Sequence, residues 1–201
     1  MRTPEAMISE RPSRRSLRRR DLRPERMDDP GLDPDLHRHA LRGLARLNTL
    51  AASHRAIVRA LLPTVPQTDR PLRLLDVATG GGDVLRRVLA DLHRRGIPVD
   101  ATACDISPRA LETTARAGTR ASLLRCDALR DNLPGGFDAA MCSLFLHHLT
   151  DDDAVTLLRK MGGAAKVVLI SDLVRSPVRL SLVWGASRLV SRSPVVHDDA
   201  P

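Results

Sequence analysis

Residues 72–83 read LRLLDVATGGGD, an apolar run that passes directly into three consecutive glycines. A short apolar run that ends at turn residues is typical of a buried β-strand, and we predict one at Leu72–Val77. Glycine accepts backbone conformations that other residues avoid, so Gly80 and Gly82 predict a tight turn where the backbone approaches a ligand closely. A helix that follows such a turn offers backbone N–H groups to that ligand. The segment therefore predicts a strand, a turn and a helix, with a binding site at the turn.

The rest of the chain repeats this alternation of strands and helices. The helix after the glycines is predicted to be capped by Asp83 and to stop at Gly96. Later helices are predicted to start at Ser107 and Thr150, and the second of these to stop at Gly162. Four further strands are predicted: Val99–Cys104, Ala121–Cys126, Phe137–Ser143 and Lys166–Ser171. This alternation indicates an α/β fold, with a parallel sheet between two layers of helices.

Composition divides the chain into three parts. Residues 1–30 are charged, interrupted by prolines and without an apolar period, which predicts a disordered basic tail. Residues 31–66 carry apolar residues at helical spacing, with a short helix at about His54–Leu62, and are predicted to form an N-terminal helical lid. Residues 67–201 hold the α/β domain. The net charge of +8 comes largely from nine arginines in residues 1–26, so we interpret it as a solvated tail rather than a nucleic-acid surface.

Cysteine, histidine and apolar content indicate the expected environment. The three cysteines have no CxxC spacing, which fits buried thiols in a reducing compartment, and we predict a cytoplasmic location. No apolar stretch approaches the roughly 20 residues of a membrane span. The seven histidines show no ligand-like spacing with a carboxylate or a cysteine, so no metal site is predicted.

Polar residues follow each of the first four predicted strands. The glycines follow the first strand, and the others are Asp105, Asp127 and the group of Ser143, His147 and His148. Ligands of an open parallel sheet bind at the carboxyl ends of its strands, so we expect these residues at one edge. Asp105 lies about 20 residues after the glycines, the spacing of an acid that accepts hydrogen bonds from ribose hydroxyls. Taken singly, the glycines could form a simple tight turn, Asp105 could be a helix cap and Asp127 a loop carboxylate. The ordered set favours a cofactor site.

These segments together resemble class I S-adenosylmethionine (SAM)-dependent methyltransferases. The first motif is LLDVATGGGD at residues 74–83, whose Ala78 and Asp83 are most similar to the ubiquinone/menaquinone C-methyltransferase branch. The other motifs are ACDISP at residues 103–108, CDAL at residues 126–129 and FDAAMCSLFLHHL at residues 137–149. In the family these correspond to the ribose-binding segment, the adenine-proximal segment and the fourth motif. The resemblance extends over about residues 40–172.

The resemblance implies that residues 67–201 bind SAM and transfer its methyl group to a small molecule. Its branch suggests an aromatic, quinone-like or polyketide acceptor. The implied cofactor-binding residues are Asp76, Ala78, Gly80, Gly82, Asp105, Ile106, Asp127, Ala128 and Ser143. His147 and His148 are candidate general bases for a phenol, hydroquinone or carbon nucleophile, and a role as ordinary loop or core histidines stays open.

The resemblance also implies a three-layer Rossmann-like sheet of order 3-2-1-4-5, with N-terminal helices. The family's complete sheet has two more strands, and only about 30 residues follow the fifth predicted strand here. We therefore expect strands six and seven to be absent and a helix at about Val178–Val190 to fold back over the fifth strand. An open strand edge invites pairing with another chain, so self-association is expected.

Three other functions remain as alternatives. An NAD-dependent dehydrogenase needs G-x-G-x-x-G, and Leu85 stands at the third glycine position. An RNA or DNA methyltransferase acting on amino groups usually carries an Asn/Asp-Pro-Pro-aromatic motif after the fourth strand, where residues 143–146 read SLFL. The expected loss of two strands leaves a truncated, non-catalytic SAM-binding relic as the third alternative.

Overall fold

The computed structural model describes residues 53–67 and 69–172. The helices are α1 (Ser53–Leu61), α2 (Asp83–Arg94), α3 (Pro108–Arg116) and α4 (Asp151–Ala164). The strands are β1 (Leu72–Val77), β2 (Val99–Asp105), β3 (Ser122–Arg125), β4 (Phe137–Ser143) and β5 (Ala165–Ser171). Short 3₁₀ turns lie at Leu62–Thr64 and Leu146–His148. The five predicted strands are all present, two of them with the predicted bounds and three within one residue at either end.

The five strands form one parallel sheet of order β3-β2-β1-β4-β5, which confirms the predicted Rossmann-like topology. β1 lies at the centre, where Val77 pairs with Cys104 of β2 on one side and with Cys142 of β4 on the other. Because all strands run in one direction, the segments that follow them meet at the carboxyl edge of the sheet. That edge carries the candidate site.

Each face of the sheet is covered by its own apolar cluster. On one face Leu74 packs with Leu61 of α1 and Leu85 of α2. On the other face Leu75 packs with Leu157 and Met161 of α4. Burial on both faces explains why β1 is an almost continuous apolar run, as central strands of parallel sheets usually are. The clusters are built almost entirely from aliphatic and sulfur-containing side chains, in keeping with the scarcity of aromatic residues.

Two predicted helix ends are wrong. Gly82, with φ of 69°, occupies the N-cap of α2, and Asp83 is the first helical residue, where its charge favours the positive end of the helix dipole. Helix α4 does not stop at Gly162 but continues to Ala164. A glycine inside a helix costs only about 1 kcal/mol, and burial of Met161 and Ala164 against the sheet outweighs that cost.

Asp138 joins three strands at the opposite, amino edge of the sheet. Its carboxylate accepts hydrogen bonds from both terminal nitrogens of Arg70, at 2.6 and 2.7 Å, and from Lys166 Nζ of β5, at 3.1 Å. The backbone N–H of Arg73 in β1 donates a further bond, at 3.1 Å. The hydrogen bonds from Arg70 are the main reason why the pKa of Asp138 lies well below its usual range, since they favour the charged form.

Several predictions fall on parts of the chain that lie outside the described residues. These are the basic tail of residues 1–30, most of the lid of residues 31–66, the helix at about Val178–Val190 and the absence of strands six and seven. Of the lid, α1 is described and lies within one residue of its predicted bounds. Across residues 53–67 and 69–172, no helix combines the length and apolar character that a membrane crossing needs.

Candidate functional site

The glycine turn after β1 contains two glycines with different roles. Both have left-handed backbone angles, with φ of 56° at Gly80 and 69° at Gly82. A Cβ at Gly80 would meet no atom within 4 Å, so the turn is open at this position. A Cβ at Gly82 would lie 2.5 Å from Cγ2 of Thr114, so this glycine is required for close packing against α3. Both were predicted to let the backbone approach a ligand; Gly82 also has a packing role that the sequence did not indicate.

Ala78 begins the turn in a conformation that favours glycine. Its φ is 55°, in the left-handed region, where a Cβ costs roughly 1–2 kcal/mol. The next residue anchors the turn to β2, because the Thr79 N–H donates to the Cys104 carbonyl oxygen at 3.0 Å. The strained backbone therefore belongs to a turn that neighbouring contacts hold in place.

Asp105 connects this turn to the start of α3. Its Oδ2 accepts from the Gly80 N–H and its Oδ1 from the Ser107 N–H, both at 2.8 Å. Ser107, not Asp105, is the N-cap of α3, since its hydroxyl accepts from the Ala110 N–H at 3.3 Å. Asp105 is thus not a helix cap. A carboxylate has about four lone-pair sites, so holding these two groups is compatible with accepting bonds from a ligand.

Asp76 lies buried beneath the turn with one of its oxygens unsatisfied. The residue is 1% exposed, and its Oδ2 accepts a hydrogen bond from the Thr79 hydroxyl at 2.6 Å. Its Oδ1 has no hydrogen-bond partner within the described part of the chain. The pKa of Asp76 is raised to about 7, mainly by burial; the Thr79 hydrogen bond opposes this rise, and the charges of Asp105 and Asp83 add to it. Buried polar atoms without a partner are rare, and one at a glycine turn fits a ligand that brings a donor or a positive charge.

The segment after β3 is organised by its own contacts. Asp127 Oδ1 accepts from the Leu129 and Arg130 N–H groups, at 2.9 and 3.2 Å, which closes a local turn. These contacts give Asp127 a structural role whether or not it also contacts a ligand. Ala128 is buried in the turn, whereas Ile106 at the end of β2 is 57% exposed and presents an apolar surface at the same edge.

Both histidines lie in the 3₁₀ turn that follows β4. Nδ1 of His147 lies 2.7 Å from Oδ1 of Asp172, and its backbone N–H donates to Asp172 Oδ2 at 3.2 Å. The rings of His147 and His148 have centroids 4.0 Å apart. Ser143 ends β4 and pairs with Ser171 at the end of β5. Sequence reasoning missed Asp172, although an acid directly after the fifth strand fits the same rule that selected Asp105 and Asp127.

Cys142 connects the two halves of the site. It is buried near the end of β4, and burial is the main reason for the raised pKa of its thiol. The charges of Asp76 and Asp172 both add to that rise. Burial also raises the pKa of the Cys104 thiol, to about 12. These thiols therefore remain neutral packing groups near neutral pH.

Residues 74–166 match the family model described as "Methyltransferase domain". The match runs from β1 into β5 and covers a little under half of the chain. It includes all the predicted site residues, whereas Asp172 lies beyond it.

Two solved structures are similar to this chain. The plantazolicin methyltransferase BpumL, in complex with a desmethylplantazolicin analogue and S-adenosylhomocysteine (SAH), has a TM-score of 0.54 and 14% identity over 83% of this chain and 60% of its own. The magnesium protoporphyrin IX methyltransferase ChlM from Synechocystis, with bound SAM, has a TM-score of 0.48 and 15% identity over 72% of this chain and 66% of its own. The chain thus spans less than two thirds of the length of these proteins. The likeness to BpumL supports the fold.

Proposed function

We propose that this chain binds SAM at the turn after β1 and transfers its methyl group to a small molecule. The observation that carries the proposal is the pairing of Asp105 with Gly80 above the unsatisfied oxygen of Asp76. This arrangement lies within the segment that matches the methyltransferase domain. It offers an acid, an open backbone turn and a buried acceptor at one strand end.

Each proposed cofactor contact follows from the chemistry of the residue. Asp105 accepts hydrogen bonds from the ribose hydroxyls, and the exposed Ile106 packs against the adenine ring. Asp127 accepts from the adenine amino group. Gly80 leaves room for the amino-acid part of the cofactor, whose positive charge is matched by Asp76. Four further residues line the pocket through their backbone or small side chains: Ala78, Gly82, Ala128 and Ser143.

The chain's part in methyl transfer is mainly to position the reactants. Bound SAM supplies a methyl group on a sulfonium, so that a nucleophile takes the methyl carbon while the C–S bond breaks and its electron pair stays on sulfur. Holding two reactants in line is worth roughly 7–11 kcal/mol of the barrier. His147 or His148 takes the proton that the nucleophile releases, at a ring nitrogen.

The proposed acceptor is a small aromatic, quinone-like or polyketide molecule. Support comes from the resemblance of LLDVATGGGD to the quinone C-methyltransferase branch. An acidic phenol or hydroquinone also suits a histidine base, because imidazole titrates near neutral pH.

Isothermal titration calorimetry with SAM, SAH and NAD tests the cofactor. We expect SAM and SAH to bind with a Kd in the micromolar range and NAD to give no heat of binding. Equal or tighter binding of NAD would refute the proposal. Turnover of a panel of phenols, hydroquinones and polyketides, followed by SAH release, then tests the acceptor. SAM binding without turnover of any acceptor would favour the non-catalytic alternative.

A further inference from the structure

Asp172 holds the backbone and the ring of His147 at the same time. Its Oδ2 accepts from the His147 backbone N–H at 3.2 Å, and its Oδ1 lies 2.7 Å from the ring nitrogen Nδ1. The two contacts use both carboxylate oxygens, so the acid fixes the position of the residue and the rotation of the ring together. The carboxylate side chain is 16% exposed and the histidine side chain 28% exposed, which leaves the ring partly accessible from the cleft.

This pairing determines which ring nitrogen acts as the base. A carboxylate beside Nδ1 favours the tautomer in which Nδ1 carries the hydrogen and donates it to the acid. Nε2 is then the nitrogen with the basic lone pair. The same carboxylate stabilises the imidazolium that forms when Nε2 takes a proton, as the buried acid of a Ser-His-Asp triad does.

The charged groups around His147 favour it over His148. The ring of His148, on the same 3₁₀ turn, packs against the ring of His147 with 4.0 Å between their centroids. A positive charge on both rings at once would be unfavourable, because like charges repel. Asp172, at the end of β5, provides the opposing negative charge to His147. The preceding strand β4 carries the buried, neutral thiol of Cys142, whose pKa is raised mainly by burial and also by the charges of Asp76 and Asp172. Asp172 therefore stabilises one protonated histidine, and each of its carboxylate oxygens contacts His147.

We propose that Asp172 is the positioning residue that makes His147 the proton acceptor of the methyl-transfer reaction. The inference rests on the proposed function, because it assigns the base for that reaction. As the nucleophile bonds to the methyl carbon and the C–S electron pair goes to sulfur, the proton of the nucleophile moves to Nε2 of His147. Asp172 contacts neither reactant and acts only through the ring it holds.

The activity test is Asp172→Asn, with Asp152→Asn as the matched control. Asp152 is exposed in the first turn of α4, so its loss removes a nearby charge without touching the pair. We expect Asp172→Asn to lower kcat at least tenfold with an unchanged Kd for SAM. The acid limb of its kcat/KM profile should move to lower pH, because loss of the carboxylate disfavours the imidazolium. The control Asp152→Asn should match the wild-type protein in kcat and in the pH profile of kcat/KM. An unchanged kcat and pH profile in Asp172→Asn would overturn the inference while leaving SAM binding intact.

Nitrogen NMR of the His147 ring provides a readout that does not depend on turnover. In the wild-type protein at high pH, we expect the hydrogen of the neutral His147 ring to be on Nδ1. In Asp172→Asn, we expect the ring to titrate with its midpoint at a lower pH. The opposite tautomer, or an unchanged midpoint, would contradict the pairing. Should Asp172→Asn fail to fold, the wild-type tautomer still decides the question. A protein that pairs these residues but binds no SAM would refute the proposed function, and only the pairing of Asp172 with His147 would remain.

Discussion

Asp76 lies in β1 and Asp105 ends the neighbouring strand β2, yet their surroundings give the two acids different chemistry. Asp105 is satisfied by two backbone N–H groups at the edge of the sheet. Asp76 is enclosed beneath the turn, with one oxygen bonded to Thr79 and the other unpartnered among the described residues. The first acid is suited to organise a turn and accept from hydroxyls, and the second to meet a positive charge.

Replacing Asp105 by alanine tests the first role. Asp105→Ala removes the acceptor for the ribose hydroxyls and also releases the Gly80 and Ser107 N–H groups. We expect SAM binding to weaken by about 1–3 kcal/mol, measured by calorimetry. Asp100→Ala is the control, because it removes an exposed acid from the same strand. An Asp105→Ala protein that folds and binds SAM as tightly as the control would exclude this residue from the site.

Replacing Asp76 by asparagine tests the second role through stability. The folded pKa is about 7 against an ordinary value of 3.8, so the folded state keeps a proton that the unfolded state releases between those values. The stability of the wild-type protein therefore falls, through this group, as pH rises from about 4 to 7, and the loss is complete above 7. Asparagine does not titrate. We expect Asp76→Asn without SAM to be more stable than the wild-type protein at pH 8, by up to roughly 4 kcal/mol.

The same variant should approach wild-type stability below about pH 4, where both states of the carboxyl are protonated. Thermal unfolding across pH 4–8 measures the difference in stability. The exposed Asp100→Asn variant is the control, and it should keep the pH trend of the wild-type protein because Asp76 is still present. Equal stability of Asp76→Asn and the wild-type protein at pH 8 would mean that Asp76 is satisfied in solution. SAM should bind the variant more weakly, because the matching negative charge is gone.

At the scale of elements, helix α4 contains two glycines that a helix does not need. Gly162 and Gly163 are exposed, have no left-handed angle, and would place a Cβ in open space. We expect Gly162→Ala and Gly163→Ala each to raise the free energy of unfolding by about 0.4–1 kcal/mol, measured by chemical denaturation. Gly118→Ala is the matched control, since its site is equally open but its φ is 69°, and it should destabilise. A loss of stability in both helical variants would show that α4 ends before these residues.

The same elements show what could be predicted from the sequence. Strand positions followed from apolar periodicity, because burial on both faces imposes that pattern directly, whereas the strand order was implied by the resemblance to class I methyltransferases. The ends of α2 and α4 were mispredicted because tertiary contacts set them: Gly82 is held by packing on Thr114, and Gly162 is tolerated through the burial of Met161. Asp172 was missed because its significance depends on His147, a contact between residues 25 positions apart.

At the scale of the whole molecule, the amino edge of the sheet is held together by charge. Asp138 is 5% exposed and bonds to Arg70, Arg73 and Lys166, which tie β1, β4 and β5. We expect Asp138→Asn to lower the free energy of unfolding at pH 7 by about 1–3 kcal/mol. The loss should lie near the lower end of this range, because Arg70 is exposed and solvent screens its charge. The affinity of the folded protein for SAM should be unchanged, because the contact lies at the edge opposite the turn.

The pH dependence has the opposite sign to that of Asp76. The folded pKa of Asp138 is lowered, so its stabilisation is present above about pH 4 and disappears as pH falls through the folded value. Chemical denaturation should show a smaller difference in the free energy of unfolding between Asp138→Asn and the wild-type protein at pH 3 than at pH 7. Glu112→Gln, which removes an exposed helix-surface ion pair at 3.8 Å, should change little at either pH. A constant gap at both pH values would contradict the assignment of the stabilisation to this carboxylate.

The Asp138 contact also has a consequence for how such a chain diverges over generations. It lies at one end of the strands, while the glycine turn, Asp105 and the His147–Asp172 pair lie at the other. Substitutions in the loops of the carboxyl edge can alter which ligand binds there without disturbing the ionic contacts that keep the strands aligned. Selection can therefore act on ligand specificity and on foldability through largely separate sets of residues.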